Sequence, residues 1–120
     1  MAQAFGPRVR LRRREEFVRV EREGRRVSAR FLTLVGLPNT LECDRLGVIA
    51  SRRVGGAVAR NRAKRRLRAL FRAERPAFAR ESGRTPMDVV AIARRELLDA
   101  PHGALAADLQ GALRRLRKPH

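Results

Sequence analysis

The sequence predicts an α+β sandwich on one sheet, with elements in the order α, two or three β, α, β, α. Three observations point there. The chain has 120 residues, an ordinary size for one domain. Its apolar residues recur with the roughly 3.6-residue period of helices in some segments and gather in short β-branched runs in others. Breaks bearing Gly or Pro separate these segments, and no segment repeats another. Mixed elements of this kind pack as helices on a single sheet.

Each element has its own justification. Arg8 to Arg14 is a basic approach segment in which Val9 and Leu11 alternate as in a short extended piece. Glu15 and Glu16 then open a helix that Gly24 closes as a left-handed stop. Phe17 and Val20, three apart, share its inner face, and Arg14 is a poor capping residue. Arg30 to Val35 is rich in strand formers. A further strand around Val27 to Arg30 can precede it. Gly36 to Thr40 reads as turn material, and Leu46 to Ser51 as another strand. Short connections predict that these neighbours pair antiparallel.

Gly55-Gly56 breaks the pattern, and a helix follows from Ala57 to about Glu74, limited by Pro76. Ala63, Leu67, Leu70 and Phe71 form its apolar stripe. Ser82 to Pro86 is a loop, Met87 to Ala93 a buried strand, and Pro101 to Gly103 a turn. Leu105, Leu109, Ala112, Leu113 and Leu116 repeat at helical spacing and give a closing helix.

Charge narrows the function. Lys and Arg number 29 against 12 acidic residues, a net +17. Such a surplus opposes compaction by self-repulsion and invites a polyanionic partner. Only Lys64 and Lys118 are lysines; the rest are arginines, whose planar fork grips phosphate at two points and stacks on bases. One cysteine, Cys43, makes neither an internal disulfide nor a Cys-based zinc site, and a chain without disulfides suits a reducing cytoplasm. The longest apolar run, Val89 to Ala93, is too short to span a bilayer. Met1 to Pro7 lacks the apolar stretch of a secretory signal.

The chain offers little for catalysis. Of its two histidines, His102 falls in a turn and His120 is the last residue, and neither has a partner constellation. Cys43 has no nearby His. Asp44, Asp88, Asp99 and Asp108 are scattered over different elements as turn, strand-end and cap residues, without metal-ligand spacing. With no Trp or Tyr, base stacking falls to five Phe residues and the arginine planes. Phe31 and Phe71 fit the core. Phe17 fits core, cleft lining or both, and Phe5 and Phe78 have no assigned place.

The densest information lies in Ser51 to Arg68. On a helical wheel, Asn61, Arg65, Arg68 and Arg72 lie opposite the apolar stripe. Arg62 and Arg66 take one flank; Arg60 and Lys64 take the other, nearer the core edge, where long stems snorkel. Arg62–Arg66, Lys64–Arg68 and Arg68–Arg72 are like-charged pairs at i, i+4, which weaken an isolated helix. No acidic residue lies between Arg60 and Arg72, whereas a merely solvated face mixes signs. The pattern predicts a phosphate-binding face, extended by Arg52 and Arg53 at the exit of the preceding strand. Gly55-Gly56 either cradles a phosphate at the helix N-terminus or lets the chain turn.

This segment also carries a resemblance. Arg60-Asn61-Arg62, followed by Lys64-Arg65 and Leu67-Arg68, resembles the signature of the bacterial ribonuclease P protein component. Arg45-Leu46-Gly47-Val48, Ser51 to Val58, Phe17 with Gly24, Arg30-Phe31 and Val89 to Arg94 are similar to the same family. The similarity covers about residues 8 to 117.

The resemblance implies one RNA-binding domain over 1–120, with 1–8 and 118–120 as disordered tails. Its order is α-β-β-β-α-β-α, like a domain of a small-subunit ribosomal protein, with a left-handed βαβ crossover against the usual preference. It implies the accessory protein subunit of a ribonucleoprotein endoribonuclease that removes the 5′ leader from precursor tRNA by phosphodiester hydrolysis. It places no catalytic residue and no dedicated metal ligand in the protein; magnesium is held mainly by the RNA subunit, and a weak magnesium site shared with RNA phosphates stays open. The partners are that catalytic RNA and the precursor tRNA, in the cytoplasm, with no membrane and no dedicated protein partner. Carried over by position, Arg60, Asn61, Arg62, Lys64, Arg65 and Arg68 face the RNA subunit. Phe17, Leu32, Leu34, Ser51, Arg52 and Arg53 form the leader cleft between the sheet and the first helix. Glu21, Leu34 and Ile49 depart from residues seen in relatives, which shifts leader contact toward aliphatic surface and arginine. Composition and element order fit a structural ribosomal RNA-binding protein equally well, and duplex DNA binding less well. The Arg-Asn-Arg run and its flanks favour the first reading.

Overall fold

The computed structural model describes residues 10–41, 43–79 and 85–117, with backbone alone over 74–79. The expected tails, Phe5, the Phe78 side chain and the Ser82–Arg84 part of the predicted loop lie outside what is so described.

The first helix, α1, is Arg14–Glu23. Arg13 holds the N-cap position, and its side chain has only donors to offer. Glu16 supplies the acceptor instead: its Oε1 accepts from the N–H groups of Arg12 and Arg13 at 2.9 and 3.0 Å. Gly24 ends the helix with φ −81° and ψ 165°, so it is extended and not the left-handed stop expected. The glycine is required by space. A Cβ there would lie 2.5 Å from the Val20 carbonyl oxygen and 2.8 Å from that of Gly36.

The strands are β1 (Arg25–Ser28), β2 (Leu32–Pro38), β3 (Arg45–Ile49) and β4 (Met87–Ala93). Their order in the sheet is β1-β2-β4-β3. β1 and β2 pair antiparallel, as do β2 and β4, whereas β3 runs parallel to β4. The expectation that β2 and β3 pair is therefore corrected. β4 is apolar on both faces, with Val89 and Val90 each fully buried, and such a strand belongs in the middle of a sheet. β2 also continues through Gly36-Leu37-Pro38, which had read as a turn. These residues pair with Val89, Asp88 and Met87, and Pro38, at the strand's last position, does not interrupt the ladder.

The long helix α2, Ala57–Ala79, connects the parallel strands β3 and β4 and passes through Pro76. A proline removes one donor, but a helix already propagated continues past a single missing bond. A 3-10 turn, Arg95–Asp99, precedes α3, His102–Arg117. α3 begins inside the expected turn: the Leu105 N–H already donates to the Pro101 carbonyl at 2.9 Å. The sequence signals did not separate the 3-10 turn from its surroundings.

α2 and α3 cover one face of the sheet. Their stripes, including Ala63, Leu67, Phe71, Leu105, Leu109 and Leu113, pack on Leu32, Leu34, Leu46, Val48, Val89 and Ala91. α1 covers part of the other face, where Leu11, Val20, Val35 and Val90 are buried with Phe17, Leu37, Ile49 and Ile92 against them. Among the described residues no helix is long and apolar enough to cross a membrane.

Candidate nucleic-acid interface

The turn leading into α2 is built by Ser51 to Gly55. Val54 and Gly55 donate to the carbonyls of Ser51 and Arg52 at 3.0 and 3.1 Å. Gly55 has φ +148°, a conformation that favours glycine, so this residue serves the change of direction. Val54 is buried beneath the turn, which leaves Ser51, Arg52 and Arg53 exposed.

On α2, Asn61, Arg62 and Arg65 are exposed; Arg60, Lys64 and Arg68 are half-buried. Arg60 donates to the Gly55 carbonyl at 3.3 Å, steadying the turn it follows. No ion pair neutralises Arg62, Lys64 or Arg65 among the described residues. Arg68 sits nearer the protein body than its wheel position implied. Burial lowers its pKa from the ordinary arginine value, and the charge of Arg10 lowers it further. Arg10 reaches that neighbourhood because the approach segment bridges to Leu46 in parallel fashion, with the Leu11 N–H donating to the Leu46 carbonyl at 3.0 Å.

Arg66 behaves differently from its neighbours. Its Nη1 donates to the Leu97 carbonyl at 2.8 Å and to the Leu98 carbonyl at 3.4 Å; its Nη2 donates to the Ala100 carbonyl at 2.9 Å.

The second basic surface is a groove at the end of the sheet, lined by Ser51, Arg53, Ile92, Ala93, Arg94, Arg95 and Glu96. Because β3 and β4 are parallel, the arginine pairs that follow them emerge at the same end. Arg94 and Arg95 are the groove residues that sequence reasoning missed. Their signal was the same as that of Arg52-Arg53, two arginines directly after a buried strand.

α1 is fixed to the sheet by a charged clamp at the opposite end, where β3 and β4 begin. The Arg45 Nε and Nη2 donate to the two Asp88 carboxylate oxygens at 2.9 and 2.8 Å, and its Nη1 donates to Glu16 Oε2 at 3.1 Å. Asn39 Nδ2 donates to Asp88 Oδ1 at 2.8 Å as well. The Glu16 carboxyl is held below the usual carboxylate range, chiefly by the Arg13 N–H and further by the Arg12 N–H and Arg45, against the opposing effect of burial. Phe17 is half-buried, and its ring lies against Gly47: a Cβ on Gly47 would come 2.5 Å from Phe17 Cε2.

The structure does not bring Leu32 and Leu34 to the cleft. Both are fully buried against the α2–α3 layer. Strand residues alternate faces, so Val35, in register with Val90, is the residue that faces the α1 side. Glu21 is exposed on α1, and Ile49 is half-buried on the groove side of the sheet. Among the described residues no three His, Cys, Asp or Glu side chains gather as metal ligands.

Two arginine-rich surfaces on one small sheet define the class, a basic RNA-binding protein of α+β fold. Comparison with known proteins specifies it further. The family model for Ribonuclease P matches residues 5–117. A ribonuclease P protein component of Chloroflexus aurantiacus is 42% identical over 106 residues, covering 88% of this chain and 75% of the relative. One from Paramagnetospirillum magneticum is 39% identical over 119 residues, covering 92% and 86%. The solved RNase P protein from Thermotoga maritima superposes with a TM-score of 0.78 at 26% identity, covering 91% of this chain and 98% of that one. That of Staphylococcus aureus gives 0.74 at 25% identity, covering 92% and 98%. The chain belongs to the ribonuclease P protein family.

Proposed function

We propose that this protein is the accessory subunit of ribonuclease P, binding the catalytic RNA through the exposed face of α2 and the 5′ leader of precursor tRNA through the groove. The observation that carries the reading is the placement of charge. Among the described residues Arg62 and Arg65 on α2 have no acidic partner, and Arg53, Arg94 and Arg95 line a groove next to the start of that helix. One small body thereby offers cations to two polyanions at once, offsetting their mutual repulsion.

Within this reading Asn61, Arg62 and Arg65 meet the RNA subunit, with Arg60, Lys64 and Arg68 at the margin of that face. Phe17, Ser51, Arg52 and Arg53 belong to the leader side, joined there by Arg94 and Arg95. The groove contains one carboxylate, Glu96, among three arginines, a donor set suited to phosphate and poorly suited to a dication. Magnesium and the hydrolytic chemistry are assigned to the RNA subunit, and the site of action to the cytoplasm.

The test is to sequence the RNA that co-purifies with the tagged protein from its own cells. One dominant RNA that trims leaders from precursor tRNA is the expected result. Stoichiometric ribosomal RNA fragments would move the protein to a structural ribosomal role.

A further inference from the structure

Arg66 stands in the middle of the most basic run of the chain, yet its guanidinium is turned inward. Its bonds to the Leu97, Leu98 and Ala100 carbonyls satisfy the C-terminal end of the 3-10 turn Arg95–Asp99. The Leu97 carbonyl also accepts from the Ala100 N–H at 3.2 Å, the Leu98 and Ala100 carbonyls lie past the turn's own bonds, and a cation at such an end is favourable. The other end of the same turn is the rim of the groove: the Leu97 N–H donates to the Arg94 carbonyl at 3.0 Å, and Arg94, Arg95 and Glu96 line the groove. Leu97 itself is fully buried in the core. A single side chain thus ties the helix carrying Arg62 and Arg65 to the segment carrying Arg94 and Arg95.

We infer that Arg66 is a positioning residue that holds the Arg94–Arg95 rim at a set distance from the α2 face, so that leader recognition depends on it while catalytic-RNA binding does not. The inference rests on the proposed assignment of the two surfaces. A fork with several donors suits three carbonyls, whereas a lysine ammonium concentrates its charge at one point. Freed from Arg66, the turn remains anchored by Leu97 and by the Ala100 N–H on the Leu97 carbonyl, but the Leu98 and Ala100 carbonyls lose the guanidinium and the rim loses its brace.

The test uses the reconstituted holoenzyme with a precursor tRNA and with the same tRNA lacking its leader. The readout is the ratio of the two affinities, measured below the melting temperature of each variant. In Arg66→Leu the preference for leader-bearing RNA is expected to fall about tenfold, on the scale of lost charge-assisted hydrogen bonds. Catalytic-RNA affinity and its salt dependence are expected to hold. Arg66→Lys, which keeps the charge and most of the stem, is expected to recover only part of the preference. Full recovery in Arg66→Lys would overturn the inference, because charge alone would then suffice. Weakened catalytic-RNA binding with a shallower salt slope would also overturn it, making Arg66 a direct RNA contact. A variant that melts earlier but keeps the full leader preference would reduce Arg66 to a structural brace, again overturning it. Absence of any leader preference in the wild-type holoenzyme would instead refute the assignment of the groove, a separate outcome.

Discussion

Asp44 and Arg117, 73 positions apart, are joined by two hydrogen bonds of 2.9 and 3.0 Å from Arg117 Nη2 to the two carboxylate oxygens. Asp44 Oδ1 also accepts from the Met87 N–H at 2.7 Å, and Arg117 Nη1 donates to the Thr85 carbonyl at 3.1 Å. The contact gathers the entry to β3, the entry to β4 and the end of α3 at the end of the sheet away from the groove.

Both side chains are buried, Asp44 1% and Arg117 10% exposed, so removing Asp44 leaves the Arg117 charge buried without its carboxylate. Asp44→Ala is expected to cost about 3–5 kcal/mol. The double variant Asp44→Ala with Arg117→Met is expected to lose less than the sum of the single losses, because neither charge is then stranded. Urea unfolding of the four proteins measures the difference, and simple additivity would show that the pair is not coupled.

Gly47 and Phe17 make a different kind of contact, one of shape. A methyl group on Gly47 would meet the Phe17 ring at 2.5 and 2.6 Å and Leu11 Cβ at 3.1 Å. Gly47→Ala must therefore push the ring, and with it α1, off the sheet. The expected cost is about 1–3 kcal/mol, the usual range for overpacking. Combining it with Phe17→Leu should recover part of that stability by making room. If thermal unfolding shows no recovery, the ring does not occupy that space.

Acid unfolding should report the Glu16 clamp. The folded-state pKa of Glu16 is lowered, chiefly by the Arg13 N–H. Its contribution is therefore fully present above the unfolded value, about 4.3, and is lost as pH falls through the lower folded value. Glu16→Gln is expected to be less stable at pH 7, and the gap to the wild type should narrow steadily below about pH 4.3. Melting temperatures taken from pH 7 to pH 3 check this; two parallel curves would exclude Glu16 as the titrating group.

Much of this architecture was legible in the sequence because the strongest local signals agreed with the final packing. The stripe Ala63, Leu67, Leu70 and Phe71 became the buried face of α2, and Met87 to Ala93 became β4 with the expected bounds. The losses came where a local signal had more than one solution in three dimensions. Gly36 and Pro38 look like a turn locally, but the pairing of β2 with β4 uses them as strand. Leu34, expected in the cleft, lies in the core, since shifting a strand by one residue exchanges its faces. Sheet order is a further step removed: the insertion of β4 between β2 and β3 rests on contacts across the chain, not on connection length. The candidate site was readable where its residues are contiguous, from Ser51 to Arg68. Arg94 and Arg95 were not, because they join it only once β3 and β4 lie parallel.

The exposure pattern on α2 separates arginines that sequence alone treats as equivalent. Arg62 and Arg65 are exposed and, among the described residues, without an acidic partner; Arg60 is half-buried and bonded to the Gly55 carbonyl, and Arg66 is committed to the 3-10 turn. Each exposed arginine that neutralises a phosphate releases counterion, so each loss should flatten the dependence of log K on log salt by about 1. Arg62→Ala and Arg65→Ala are expected to do so, weakening catalytic-RNA binding most strongly at low salt. Arg60→Ala with Arg62→Ala should weaken binding more than Arg62→Ala alone, while its melting temperature also drops because the turn loses its tie. Filter binding of the catalytic RNA from about 50 to 200 mM salt resolves these slopes. If Arg62→Ala and Arg65→Ala both kept the wild-type slope, the RNA would have to meet another face of the protein, and the groove side with Arg53, Arg94 and Arg95 would be the surface to mutate next.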